Sequence, residues 1–420
     1  MPWQDLDTSD IVISDKSNDR IKKLRDKRKL TKWQTNQFEK RLRERYQETA
    51  LRTSHTQWAS VTEDKKPVNA DDDISAKQET IQESGIVFAR KASRLPPNVI
   101  EIVRLKDVNA AEPSDAVVRS IAFHPTSDFE TPLLMTAGLD KCLRFYSVGK
   151  DEESRKIHGI QFPKLPIYKA SFLPDSNSVI ATGRRSFFYT YDMVAGKVDY
   201  IPGVLGREEK SWESHFVSRD GKKIAFLGND GYIVLIDPLN KQVTGTLKLN
   251  GSVRSAVFTE DGRHLLASGS DGDISRWDVS SCRCIERFSN HDGTVTSSLS
   301  ISKDHFAAGA ESGVVNLYAM SNHGSMGKTP IRSIMNISTC VDKLRFNHDG
   351  QILAMSSRFS SDCLKLLHVP SRTVFSNWPT SKSPLNYVFD MDFSPQSRFL
   401  AVGNDKGRCL IYKLRHYTDM

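Results

Sequence analysis

The sequence predicts an all-β protein, a seven-bladed β-propeller behind a basic N-terminal arm that is partly helical or disordered. Three observations carry this expectation. From Ile86 onward, short apolar runs are broken by Gly, Asp, Asn and Pro, the texture of short strands and tight turns. In that region one strand–turn unit recurs seven times, with 40–49 residues between equivalent positions, close to the ~40–45 of WD40-type blades. The excess positive charge is confined to one early segment: residues 16–52 hold 14 Lys or Arg against 5 Asp or Glu, while the rest of the chain holds 45 against 46.

Residues 1–85 form the first expected unit, a basic arm followed by an acidic linker that ends in DDDISAKQETIQE. The run RIKKLRDKRKL contributes Arg20, Lys22, Lys23, Arg25, Lys27, Arg28 and Lys29, and a second basic cluster adds Arg41, Arg43 and Arg45. Clusters of this density attract phosphate by releasing its counterions. Ile21, Leu24, Phe38, Leu42 and Tyr46 recur near helical spacing among these cations, so one or two amphipathic helices could dock on a partner. Nuclear targeting, RNA contact and a solvated tail all fit such a segment. We take these ten basic residues as the candidate RNA- or partner-binding arm.

Residues 86–420 form the second expected unit, the propeller. The clearest blade reads SAVFTEDGRHLLASGSDGDISRWDV, residues 255–279. Phe123, Phe172, Phe216, Phe258, Leu299, Phe346 and Phe393 mark the ends of the first strands. Gly138, Gly183, Gly228, Gly269, Gly309, Ser356 and Gly403 close the second strands. Tyr146, Tyr191, Ile236, Trp277, Tyr318, Leu367 and Tyr412 close the third. Runs such as YIVLI are apolar throughout because these strands are covered on both faces by neighbouring blades. Between second and third strands, Leu139-Asp140-Lys141, Asn229-Asp230-Gly231, Asp271-Gly272 and Asn404-Asp405 supply turn chemistry. The seventh unit ends after its third strand, which would leave a bare sheet edge. NVIEIVRL, residues 98–105, is expected to add the missing outer strand and close the ring.

The same residues exclude much. No stretch approaches the ~20 apolar residues of a membrane span, and the polar start MPWQDLDTSD is not that of a signal peptide. Six scattered cysteines fit a reducing compartment, and the lone Cys282–Cys284 pair lacks a second pair at zinc spacing. HGSMGKTP, residues 323–330, has Asn322 where a phosphate-binding loop needs Gly, and Pro330 where its helix would start. Hydrolase-elbow, zincin and dinucleotide-binding signatures are absent. His291, Asp271, Ser268 and Trp277 resemble fragments of a blade hydrogen-bond network, read here as turn and core chemistry. No enzyme activity, cofactor, metal or small-molecule substrate is expected.

Several long strings resemble one family, the U3 small nucleolar RNA-associated protein 18 family. They are RLPPNVIEIVRLKDVNAAEPSDAVV, GREEKSWESHFVSRDGKKIAFLGNDGYI, LKLNGSVRSAVF, FNHDGQILAMSS, LKLLHVPSRTVFSNWPT and FSPQSRFLAVGNDKGRCLIYKLRHY, with RIKKLRDKRKL and FEKRLRERY in the arm. The resemblance covers residues 16–60 and 86–417. It implies a nucleolar, non-catalytic scaffold of the small-subunit processome, needed for 18S precursor rRNA processing with the U3 ribonucleoprotein. It implies UTP-B subcomplex proteins and other processome subunits as partners, with U3 small nucleolar RNA and 18S precursor rRNA met directly or through the complex. Some members recruit the exosome's helicase through a Leu-Phe motif, and this chain has no Leu-Phe dipeptide. The alternative from another class is a WD40 substrate receptor of a ubiquitin ligase. Such receptors show Trp-Asp-x-Arg, whereas Trp277-Asp278-Val279 continues here with Ser280.

Overall fold

The computed structural model describes residues 95–417 apart from 127–130, 150–153, 175–176, 205, 292–293, 321–326 and 381–382, together with Lys40. All ten basic residues singled out in the arm lie outside the described residues.

Strand β1 (Ile102–Arg104) comes first in the chain but belongs to the last blade. Blade 1 holds β2 (Val118–Phe123), β3 (Leu133–Gly138), β4 (Cys142–Val148) and β5 (Ser154–Gln161). Blade 2 holds β6 (Lys169–Leu173), β7 (Ser178–Thr182), β8 (Phe188–Asp192) and β9 (Lys197–Ile201). Blade 3 holds β10 (His215–Val217), β11 (Ile224–Leu227), β12 (Tyr232–Ile236) and β13 (Val243–Lys248). Blade 4 holds β14 (Val253–Phe258), β15 (His264–Gly269), β16 (Asp273–Asp278) and β17 (Arg283–Ser289). Blade 5 holds β18 (Thr296–Ile301), β19 (His305–Ala310), β20 (Val315–Ala319) and β21 (Arg332–Ile334). Blade 6 holds β22 (Lys343–Phe346), β23 (Ile352–Ser356), β24 (Leu364–His368) and β25 (Thr373–Val374). Blade 7 holds β26 (Val388–Phe393), β27 (Phe399–Asn404) and β28 (Cys409–Leu414), with β1 as its outer strand.

The result is a seven-bladed β-propeller, as the repeat predicts. The first strands β2, β6, β10, β14, β18, β22 and β26 touch one another in sequence, and β26 returns to β2. They form the inner wall. The core is not one mass but seven apolar clusters, one between each pair of neighbouring blades. That explains the pattern along each blade. Strands such as β15 and β27 are almost wholly buried, whereas the outer strands β5 and β17 are mostly exposed.

The second-to-third strand turns show why the sequence chose small and polar residues there. Lys141, Asp230, Gly231 and Gly272 all adopt positive φ, the region that disfavours most side chains. In the blade 7 turn the positive φ falls not on Asn404 or Asp405 but on Gly407, at 72°. A Cβ there would come 2.0 Å from the Ser114 carbonyl oxygen, so glycine is required by both conformation and space.

Ring closure uses less strand than the run at 98–105 suggests. Only Ile102–Arg104 pairs with β28, in the register Ile102 with Leu414 and Arg104 with Tyr412. At its two ends Leu105 N–H donates to the Ile411 carbonyl and Arg415 N–H to the Glu101 carbonyl, both at 3.1 Å, and side chains hold the residues before it. Asn377 Nδ2 donates to the Ile100 carbonyl (2.7 Å), and its Oδ1 accepts the Ile100 N–H (3.2 Å). Leu95 and Ile100 are buried in the cluster between blades 6 and 7. Leu105 and Val108 sit in the cluster between blades 7 and 1.

Candidate functional site

The inner wall encloses a cavity of about 1210 Å³, lined by the first strands and their flanking turns. Small residues such as Ser120, Ala170, Ser255, Ala256, Ser298 and Ser300 keep the seven strands close. Their hydroxyls join one blade to the next. Ser120 Oγ donates to the Ala170 carbonyl at 3.0 Å and accepts the Ala170 N–H at 3.1 Å. Ser255 Oγ accepts the Leu299 N–H, and Ser300 Oγ accepts the Phe346 N–H.

At the junction of blades 6, 7 and 1 this role passes to charges. Asp390 Oδ2 accepts the Ile121 N–H and Asp392 Oδ2 the Phe123 N–H, both at 2.9 Å. On the other side, Lys343 pairs with Asp390 at 3.0 Å and Arg345 with Asp392 at 2.7 Å. Residues two apart on a strand share a face, so β22, β26 and β2 are laced by two parallel rungs. Burial pushes the Asp392 carboxyl up against the pull of Arg345, and Asp392 in turn raises the Arg345 guanidinium. These carboxylates are consumed by structural bonds.

The wall also holds a histidine and a lysine with little polar company. His215 is fully buried, with Thr182 Oγ1 2.9 Å from its Nδ1 and no partner for Nε2 among the described residues. Burial, then Lys169 and Lys343, hold its pKa well below the usual imidazole value, so the ring is neutral. Lys169 Nζ lies 3.6 Å from the centroid of the Phe216 ring. Lys169 is half-buried and lines the channel. Burial, with repulsion from Lys343 and Arg345 outweighing attraction to Asp390, pushes its pKa down from 10.5 to about 7. The unfolded chain keeps that proton up to its ordinary pKa. Between pH 7 and 10.5 the unfolded state therefore binds more protons, and stability rises with pH. Below pH 7 the full penalty of the charged ammonium remains. We expect Lys169→Met to gain about 1 kcal/mol, discounted for channel water and the Phe216 ring. That corresponds to about 2–4 °C in melting temperature at pH 6.5, with the gap narrowing as pH rises above about 7 and closing only near 10.5. A constant gap across that range would contradict this reading of Lys169.

One mouth of the channel combines arginines and aromatic rings. Arg119 lies 4.8 Å from the Tyr168 ring centroid and 5.1 Å from that of Phe389, and Arg184 also covers Tyr168, at 4.9 Å. Arg184 pairs with Glu213 at 2.9 Å and Arg358 with Asp342 at 3.3 Å. Neither this mouth nor the charged rungs stood out in the sequence. Asp390 and Asp392 bind strands distant in sequence, which no local pattern names.

The fragments of a blade network do not assemble. Trp277 Nε1 has no partner among the described residues, Asp271 pairs with Arg287, and Ser268 Oγ donates to backbone carbonyls. A different buried network forms instead. Asn290 Oδ1 accepts from Asn316 Nδ2 (2.8 Å) and from the Tyr318 hydroxyl (2.7 Å), and Asn290 Nδ2 reaches Thr296. Half of HGSMGKTP, residues 323–326, lies outside the described residues, and the other half, Gly327–Pro330, is an irregular bend. Cys282 ends the β16–β17 turn, and Cys284 lies exposed on β17.

Ring, blade period and inner wall together define a WD40-type propeller protein. The chain matches the family described as WD domain, G-beta repeat, over residues 108–147 and 241–278. It is 39% identical to the U3 small nucleolar RNA-associated protein 18 homolog of Arabidopsis thaliana, covering 99% of this chain and 76% of that one. It is 33% identical to the Homo sapiens homolog, over 99% of this chain and 74% of the relative. Against U3 small nucleolar RNA-associated protein 18 of Saccharomyces cerevisiae the identity is 32%, over 77% and 62%. The chain belongs to the U3 small nucleolar RNA-associated protein 18 family.

Proposed function

We propose that this protein is a non-catalytic scaffold of ribosome biogenesis, a nucleolar component of the small-subunit processome acting in 18S precursor rRNA processing with the U3 ribonucleoprotein. The observation that carries this is the similarity to proteins named for U3 small nucleolar RNA, which spans 99% of the chain in both the plant and human relatives. The fold fits the reading. A propeller offers two faces and a rim to partners, and the Asp390 and Asp392 carboxylates of its inner wall are engaged in holding strands together. On this reading UTP-B proteins and other processome subunits bind the propeller.

Residues 1–85 act as a separate basic arm with an acidic linker. Arg20, Lys22, Lys23, Arg25, Lys27, Arg28 and Lys29, with Arg41, Arg43 and Arg45, contact RNA phosphates or reach along the complex. Phosphate contacts position a protein without reading sequence. Replacing Lys22, Lys23, Arg25, Lys27, Arg28 and Lys29 with Ala therefore reduces RNA crosslinking and nucleolar retention at least about tenfold at physiological salt. The propeller's melting temperature does not change. Unaltered crosslinking and localisation in that variant would remove the arm from the account.

A further inference from the structure

We propose that the arginine-rich mouth of the channel binds a carboxylate side chain on an acidic peptide of a partner protein, with Arg119 as its receptor. Two neighbouring arginines are already neutralised, Arg184 by Glu213 and Arg358 by Asp342. Arg119 forms no ion pair among the described residues, and Glu213 acts on it only at longer range. Its guanidinium is held instead by ring contacts with Tyr168 and Phe389. Such contacts fix the plane of the guanidinium and leave its N–H fork for a carboxylate, which it matches bidentately. Burial and the nearby positive charges of Arg358 and Arg184 lower the Arg119 pKa, so the free site carries unbalanced positive charge that an incoming carboxylate would relieve. Beside it Phe359 is 59% exposed beneath Arg358, an apolar contact for a neighbouring peptide residue.

The same residues disfavour RNA as the occupant. Glu213 and Asp342 stand among the arginines, so a continuous line of phosphates would meet like charge at each side of Arg119. Tyr168 already carries two guanidiniums, which leaves little ring for a base to stack on. A single carboxylate meets neither obstacle.

This inference rests on the reading of the propeller as a platform for protein neighbours. A random-peptide phage library panned on the full chain and on Arg119→Gln tests it, since both proteins carry the same basic arm. Peptides enriched only on the unsubstituted chain should share an Asp or Glu at one position. In fluorescence anisotropy a representative should bind Arg119→Gln at least about tenfold more weakly, a difference of about 1.4 kcal/mol. Arg119→Lys keeps the charge but not the fork and should lose at least about threefold. It serves as the test should the Gln variant fail to fold. Identical peptide pools on both proteins, or affinities within twofold, would overturn the proposal. So would a fall in binding of a short poly-uridine RNA, rather than of the peptide, in Arg119→Gln. If U3 RNA still co-purifies with the full chain, such a failure sinks the mouth site alone and leaves the scaffold reading standing.

Discussion

Deleting residues 1–105 prevents the ring from closing and destabilises the propeller by at least about 5 kcal/mol. The deletion removes β1, whose backbone covers the edge of β28. It also removes Leu95, Ile100 and Leu105, each buried to below a tenth of its surface. At about 1.5–3 kcal/mol for each buried apolar side chain, the packing loss alone reaches that figure. A domain of ordinary stability has only about 5–15 kcal/mol to lose. The exposed β28 edge then offers unpaired N–H and C=O groups to other chains, so aggregation accompanies the loss. Deleting residues 1–85 is the control, because it spares every one of these contacts. We expect it to melt with the full chain in a thermal scan. A 1–105 deletion that stays monomeric and melts as the full chain would show that β1 is not the closing strand.

Asp392→Ala should cost about 2–4 kcal/mol, measured as a shift in the denaturant midpoint. The carboxylate accepts the N–H groups of Phe123 and Phe393 and holds Arg345. Its own side chain is nearly buried, and its removal strands two buried donors. The Arg345 side chain is 55% exposed to the channel, so water covers part of the orphaned cation and keeps the cost below that of a dry pair. Asp392→Asn retains an acceptor for the backbone and should lose about half as much. Removing the exposed carboxylate of Asp349 should change stability by less than about 0.5 kcal/mol. A loss below about 1 kcal/mol for Asp392→Ala would mean that the rung does not stabilise the junction between blades 6, 7 and 1.

The contrast between these two predictions shows what a single sequence reveals. The blades were legible because each is a local unit: Phe258, Gly269 and Trp277 punctuate one strand–turn–strand pattern, and the pattern repeats. The need for a closing strand was legible because the seventh unit stops one strand short. The inner wall was not legible. Asp390 meets Ile121, and Asp392 meets Phe123, across 269 residues of chain, and no local pattern announces that pairing. Arg119 is similar, since its rings come from the neighbouring blades 2 and 7. The Asn290 network escaped because Asn290 itself, rather than His291, carries the side-chain hydrogen bonds. The arm is the reverse case: its charge is plain in the sequence, and its residues lie outside those the structure describes.

Purification of the tagged protein from growing cells, with sequencing of the RNA and mass spectrometry of the proteins that accompany it, shows which assembly it serves. A processome scaffold brings down U3 small nucleolar RNA, 18S precursor rRNA and propeller-containing processome subunits. Recovery of ubiquitin-ligase subunits without precursor rRNA would contradict that role, and would mean that this chain keeps the family's fold while serving another assembly.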